Sequence, residues 1–317
     1  MNKPSTLHKR VLRAITQQAL EAQKLLPLSA SGSSHGSEGA GNPAYHRVTV
    51  KIRELEAAAV AGGVPREWIE QTRYRGELGM AWRPDLHWCE HTPVDRPALL
   101  AALEHDVRHV GEIAAVAAAY GQRGARAEAG TAQLFARNLD TLARRVAAIA
   151  HLLNLSTDEA EQLWGRQNAW SAAADSVRAE SEESLAERWR TLARLDTRAA
   201  ARQVAALADA GIGAGCAGNP SPSAAQMVQR IQQLWEHTGH ATTSEPAAPA
   251  AANTGPASIT GSAPRAQRIL FSAAQGDQIT EFVTAVGLVE DFRPVFRSPA
   301  DPKPAPPAAI DMGGLEP

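Results

Sequence analysis

A chain of 317 residues with a formal net charge of -2 is long enough for one large domain or two ordinary ones, and it is not basic throughout, so any nucleic-acid role must rest on a local patch. Two cysteines, Cys89 and Cys216, are too few for a disulfide framework; no apolar run approaches the roughly 18 to 20 residues that cross a bilayer, and no secretion signal is present, so a cytoplasmic chain is expected. Hydrophobic residues make up 44% but aromatic ones only 5%, and an apolar content dominated by Ala and Leu favours helices and argues against a large β-sandwich.

The first expected helix covers 4–26, where Leu7, Val11, Ile15, Ala19, Ala22 and Leu26 recur at spacings of three and four. Lys3, Lys9, Arg10, Arg13 and Lys24 against a single Glu21 make residues 1–27 a basic amphipathic helix. It either packs its apolar stripe on the body or serves as a mobile arm for phosphate or an anionic surface. Residues 28–42, with a Ser/Gly-rich middle, read as a flexible linker.

A helical body follows over 43–239. Pro43 after Asn42 marks a helix start, and Val48, Ile52, Leu55 and Ala59 line one face until Gly62 and Gly63 stop it. Pro65 restarts a helix with Trp68, Ile69 and Thr72, up to Gly76. Over 77–92 the helical period breaks. Met80, Trp82, Leu86 and Trp88 suit an extended segment, at most a short strand or hairpin, with Pro84 against a central strand. Asp95 is the expected N-cap of a long helix through Leu99, Leu103, Val107, Val110, Ala114 and Ala117. Phe135, Leu139, Leu142, Val146, Ile149 and Leu153 form an unbroken four-three seam, too short to demand a coiled coil and so expected to pack in a bundle. Ser156 and Glu159 spell a capping box before a short helix to Trp164 and Gly165, near which the body could divide. Further helices are expected around Trp170 and Val177, around Leu185 and Trp189, and around Ala200 and Leu207, the last ending at Gly211. A second capping box, Ser223 with Gln226, opens a helix through Val228, Ile231 and Trp235.

Residues 240–264, a low-complexity mixture of Ala, Pro, Thr, Ser and Gly, cannot bury enough apolar surface to offset ordering entropy and are expected to be disordered. An apolar island at 265–297 carries Ile269, Leu270, Phe271, Ile279, Phe282, Val283, Val286, Phe292 and Phe296, and a Pro-rich tail covers 298–317. The island either folds back on the body, the favoured alternative because short isolated helices are marginal in water, or enters a partner's groove. The expected fold class is all-α: an irregular helical bundle with flanking disordered segments.

Two clusters could carry chemistry. His87, Cys89 and His91, with His105, His109 and Glu112 on the following helix, are zinc-ligand types, and His105 and His109 lie one turn apart. Their spacing matches no zinc module, the pair lacks the glutamate that metalloproteases use as a base, and ordinary surface polarity explains the residues more simply. No cofactor other than zinc is suggested. Ala59, Gly63, Val64 and Ile69 take the offsets of a helix-turn-helix unit, which would present Arg66, Arg73 and Arg75 to phosphates or guanine edges, helped by Lys9, Arg10 and Arg13. Thr72 where an apolar residue is usual, and Pro65 after the turn valine, depart from that pattern. The tryptophans, which interleave with Arg, fit core contacts better than base stacking. No phosphate loop, dinucleotide fingerprint or nucleophile elbow assigns an enzyme class, and the glycines at 211, 213, 215 and 218 read as a hinge.

The stretch Gly63-Val64-Pro65-Arg66-Glu67-Trp68-Ile69, with Met80-Ala81-Trp82-Arg83-Pro84-Asp85, Leu152-Leu153-Asn154-Leu155-Ser156 and Trp164-Gly165, resembles helical proteins of high-GC actinobacteria, some of which accompany plasmids or integrated mobile elements. The resemblance covers 45–165. It carries no family activity but implies a DNA-linked accessory role. The function expected is a non-enzymatic interaction or accessory protein with a protein partner or a second copy of itself; the alternatives are DNA binding through 55–75 and metal binding through 87–112.

Overall fold

The computed structural model describes residues 3–26, 42–123, 130–213 and 221–241. Among them there is no strand, and the all-α fold stands as expected. The expected linker at 28–42 apart from Asn42, the low-complexity segment beyond Ala241, the apolar island, the tail, and Gly215, Cys216 and Gly218 lie outside the described residues.

The helices are α1 (Thr6–Leu25), α2 (Pro43–Ala61), α3 (Arg66–Glu77), α4 (Arg96–Gln122), α5 (Thr131–Leu153), α6 (Thr157–Ala160), a π-helical turn (Glu161–Gly165), α7 (Gln167–Arg178), α8 (Glu182–Ala193), α9 (Arg198–Asp209) and α10 (Ala224–Ala241). Their starts follow side-chain chemistry. The Asp95 side chain accepts from Ala98 N at 3.0 Å, and both halves of the boxes at Ser156/Glu159 and Ser223/Gln226 form, satisfying amides that have no intrahelical partner.

Helix α4 is the centre. From Ile113 to Tyr120 every residue is buried, which a helix tolerates only when neighbours cover it all round, and here α5, α7, α8 and α10 do so. The α5 seam faces this centre: Phe135, Leu139, Val146, Ile149 and Leu153 are buried and Leu142 is half-buried. One core cluster runs from Val11 to Trp235 across residue 165, so side chains on both sides of that point share a single core. The first helix is packed rather than free. Val11, Leu12, Ile15 and Ala19 are fully buried where α1 lies against α2 and α3. Gly76 is the closest point of that contact: a Cβ there would stand 2.5 Å from Thr16 O and 2.6 Å from Ala19 Cβ.

Helix C-termini are closed by side chains from distant parts of the sequence. Arg96 donates to Leu153 O at the end of α5 while gripping Glu159 with two nitrogens, at 2.9 and 2.6 Å. Arg123 donates to Val177 O, Arg178 O and Glu180 O at the end of α7. Arg230 donates to Trp164 O and Gly165 O while lying 5.2 Å from the Trp170 ring centroid. Cations placed there answer both the unpaired carbonyls and the negative end of the helix dipole. At the end of α8 the same task falls to a neutral amide. Asn138, 2% exposed, donates to Leu192 O, Ala193 O and Leu195 O and accepts from Thr197 Oγ1 at 2.9 Å. Asn138→Ala strands these buried partners together, and a urea melt should show a loss of roughly 2–4 kcal/mol with unchanged slope.

Candidate functional site

The segment of greatest functional interest is α3 with the turn before it and the strap after it. Helix α2 ends in a Schellman motif: Gly63 takes φ 80°, Gly63 N donates to Val60 O and Val64 N to Ala59 O, a geometry that admits glycine without strain. Pro65 then opens α3. Thr72, the polar residue in an apolar slot, is fully buried, and its hydroxyl lies 2.9 Å from both Trp68 O and Ile69 O, so the departure from the helix-turn-helix pattern costs no unpaired group. Thr16 completes the arrangement by donating to Thr72 O across the α1 contact.

Residues 79–95 run along α3 as coil; the strand or hairpin allowed for 77–92 is absent. The reason is visible in the hydrogen bonds, because the segment pairs with side chains of α3 instead of with another strand. Gln71 Nε2 donates to His87 O at 2.8 Å while its Oε1 accepts from Cys89 N at 3.3 Å, so one amide side chain acts as a short piece of partner strand. Trp68 Nε1 donates to Cys89 O, and Glu67 Oε1 accepts from Thr92 N, which holds the Glu67 carboxyl below its usual range. Trp68 meets Trp88 at 5.4 Å and His91 edge-on at 4.6 Å, and Trp82 meets Trp88 at 6.0 Å. Trp68, Trp164, Trp170, Trp189 and Trp235 are buried, as core contacts require, and Trp82 and Trp88 are half-buried against the same core.

The arginines expected to meet DNA are divided by the helix. At about 100° per residue, Arg66 and Arg73 fall roughly 20° apart and Arg75 about 180° from Arg66. Arg66 and Arg73 line a groove of about 260 Å³ between α2 and α3 together with Arg53, Glu56 and Glu70, floored by Ala57, Val60 and Ile69. Arg73 pairs there with Glu56 at 3.4 Å and Glu77 at 3.5 Å; burial pushes the Glu56 carboxyl up, and Arg73 partly opposes this. Arg75 acts on the other side, where its charge is one of the lesser influences lowering Asp85, after the Arg83 hydrogen bond. Lys9 and Arg13 are exposed on α1, and Arg10 is spent on Gly211 O at 3.1 Å.

The metal candidates lie on two elements. His87, Cys89 and His91 belong to the strap, where burial pushes the Cys89 thiol up and away from the thiolate a metal needs. His105, His109 and Glu112 belong to α4, where His109 Nδ1 and Glu112 Oε2 stand 3.9 Å apart in a cleft of about 400 Å³ completed by Ser184, Glu187, Arg188 and Thr191 of α8. Among the described residues no three His, Cys, Asp or Glu side chains converge on a common point suited to a metal ion. The Arg96 grip, with the capping hydrogen bond from Ser156, brings the Glu159 carboxyl down to about 2; the pair is a structural clamp.

Two histidines outside these clusters sit at the α1 docking site. Burial lowers His8, against the opposing effect of the Gly62 and Leu152 carbonyls. Burial and then Arg10 lower His151, whose Nε2 is buried with no hydrogen-bond partner among the described residues. Both therefore hold fewer protons folded than unfolded, so their stabilising effect is complete above the unfolded value of 6.5 and is lost as pH falls from there through their lowered folded values. Glu56 and Asp140, raised by burial, act with the opposite sign at lower pH. Melting temperature followed from pH 7.5 to 5 (about the range His titrates) should fall more steeply for the wild type than for His8→Gln/His151→Gln.

One feature escaped sequence reasoning. Tyr74, Leu78 and Met80 are 61%, 54% and 37% exposed at the end of α3, and Tyr74 and Leu78 share a face at a spacing of four. Comparison with protein-family models, with curated proteins and with solved structures found no match. No described helix is long and apolar enough to cross a membrane.

Proposed function

We propose that the protein is a non-enzymatic helical interaction protein, a cytoplasmic accessory factor that grips a protein partner or a second copy of itself through the end of α3. The observation that carries this reading is the run Tyr74, Leu78 and Met80. Large apolar side chains are left in water in the last turn of α3 and just past it, where Leu78 caps the helix and Met80 begins the strap, while the buried face of α3 is docked on α1; exposed apolar surface of this kind marks interaction sites. The surroundings are rigid: Gly76 locks the helix to α1 and the strap is pinned by Glu67, Trp68 and Gln71. A preorganised surface loses little entropy on binding. Partners recovered with the purified chain should be lost with Tyr74→Asp/Leu78→Asp at unchanged melting temperature; recovery equal to the wild type would sink the reading.

The second reading is duplex DNA binding through the α2–α3 unit, favoured by Arg53, Arg66 and Arg73 sharing one groove. Binding to labelled duplex and single-stranded DNA across a salt series, with Arg66→Ala/Arg73→Ala as control, separates the two. Affinity that falls steeply with salt and with those substitutions would replace the first reading by the second.

A further inference from the structure

We propose that the partner gripped at the end of α3 is a protein segment that is both acidic and apolar, its carboxylates meeting Arg53 and Arg66 in the α2–α3 groove while its apolar side chains cover Tyr74 and Leu78. The inference rests on the reading of the α3 end as the interaction surface and adds the chemistry of what binds there. The groove and the apolar run are one surface. At about 100° per residue, Glu70 lies about 40° and Tyr74 about 80° round α3 from Arg66, and Leu78 follows Tyr74 one turn later. The surface therefore passes from guanidinium groups to apolar side chains along one side of the helix. The floor of the groove, Ala57, Val60 and Ile69, is apolar as well, so it accepts an apolar side chain once a carboxylate is anchored at its rim.

Charge decides the kind of partner. Of the arginines lining the groove, Arg73 is held by Glu56 at 3.4 Å and Glu77 at 3.5 Å. Arg53 and Arg66 are exposed, and neither has an ion pair among the described residues, so both guanidinium forks are open to carboxylates, whose geometry they match. The carboxylates of Glu56, Glu70 and Glu77 stand among the same arginines. A duplex carries phosphate at every step of its backbone and would bring like charge against them, whereas a protein segment places carboxylates opposite Arg53 and Arg66 and neutral groups opposite the glutamates. The apolar run next to the groove has no counterpart on a phosphate backbone and favours the same choice.

Selection of random dodecapeptides displayed on phage, with the purified full chain as target, tests this. The recovered peptides should be rich in Asp and Glu beside large apolar residues. One of them, synthesised with a fluorescein label, should bind about tenfold more weakly to Arg53→Gln/Arg66→Gln and to Tyr74→Asp/Leu78→Asp, with Arg178→Gln at the end of α7 as the unaffected control. All the substituted side chains are exposed, so melting temperatures stay at the wild-type value and mark the losses as local. Peptides that need Tyr74 and Leu78 but are neutral or basic, or that bind Arg53→Gln/Arg66→Gln as well as the wild type, would overturn the acidic partner and leave the interaction surface standing. Peptides indifferent to Tyr74→Asp/Leu78→Asp, or no enrichment over an unrelated target, would overturn both. Labelled duplex DNA whose binding is lost with Arg53→Gln/Arg66→Gln and kept with Tyr74→Asp/Leu78→Asp would overturn the proposal in favour of nucleic acid.

Discussion

Trp189→Ala should lower stability by about 3–5 kcal/mol and the melting temperature by roughly 10 °C. The indole is 1% exposed and lies between two parallel rings, Phe135 at 3.9 Å and Tyr120 at 4.3 Å. It therefore joins α8 to both α4 and α5, and no single neighbour can move in to fill the space without leaving another gap. Stacked aromatic pairs add to the area term, and a cavity between three helices relaxes poorly. A calorimetric melt of the variant within about 2 °C of the wild type, less than the shift expected from 1 kcal/mol, would mean the sandwich is not the joint between these helices.

Val146→Asp tests the same core from the α5 side. Val146 is 2% exposed in the middle of the seam, and an unpaired carboxylate buried there should cost several kcal/mol or be forced to hold its proton. The two outcomes differ in their pH response. A carboxyl that takes up a proton on folding makes the variant most stable at low pH and steadily weaker as pH rises through its unfolded value, the reverse of the trend set by His8 and His151. An unchanged melt at neutral pH would place the seam in solvent and contradict the bundle.

Most helix positions were legible because they depend on local chemistry. Asp95, Ser156 with Glu159, and Ser223 with Gln226 cap the helices they announce, and the apolar spacing of α5 matches its burial. What was hidden depends on residues far apart in sequence. Nothing in the neighbourhood of Asn138 signals that it closes α8, or of Arg123 that it closes α7, because their acceptors lie more than fifty positions away. The strap shows the same limit. Alternating apolar residues suggest a strand, but a strand needs a partner, and here Gln71 and Trp68 of α3 supply the hydrogen bonds instead. At the candidate site the basic residues were visible as a set, yet the turn of α3 places Arg75 away from Arg66 and Arg73, and the ion pairs of Arg73 reach into α2. The exposed trio Tyr74, Leu78 and Met80 carried a weak local signal, since these residues fall off the stripe defined by Trp68, Ile69, Thr72 and Gly76.

The α3 surface joins two properties rarely left together without a use: a helix fixed by a close glycine contact on one side, and apolar side chains kept in water on the other. Rigidity without burial does nothing for the stability of the monomer, whereas it lowers the entropic cost of binding. The most direct measurement is photo-cross-linking of the full chain in extract of the cells that express it, with a photoreactive phenylalanine analogue at Tyr74 and, as control, at Leu134, which is 38% exposed at the start of α5. The account predicts a discrete intermolecular adduct from position 74 and none from position 134; equal labelling at both positions, or none at 74, would contradict it.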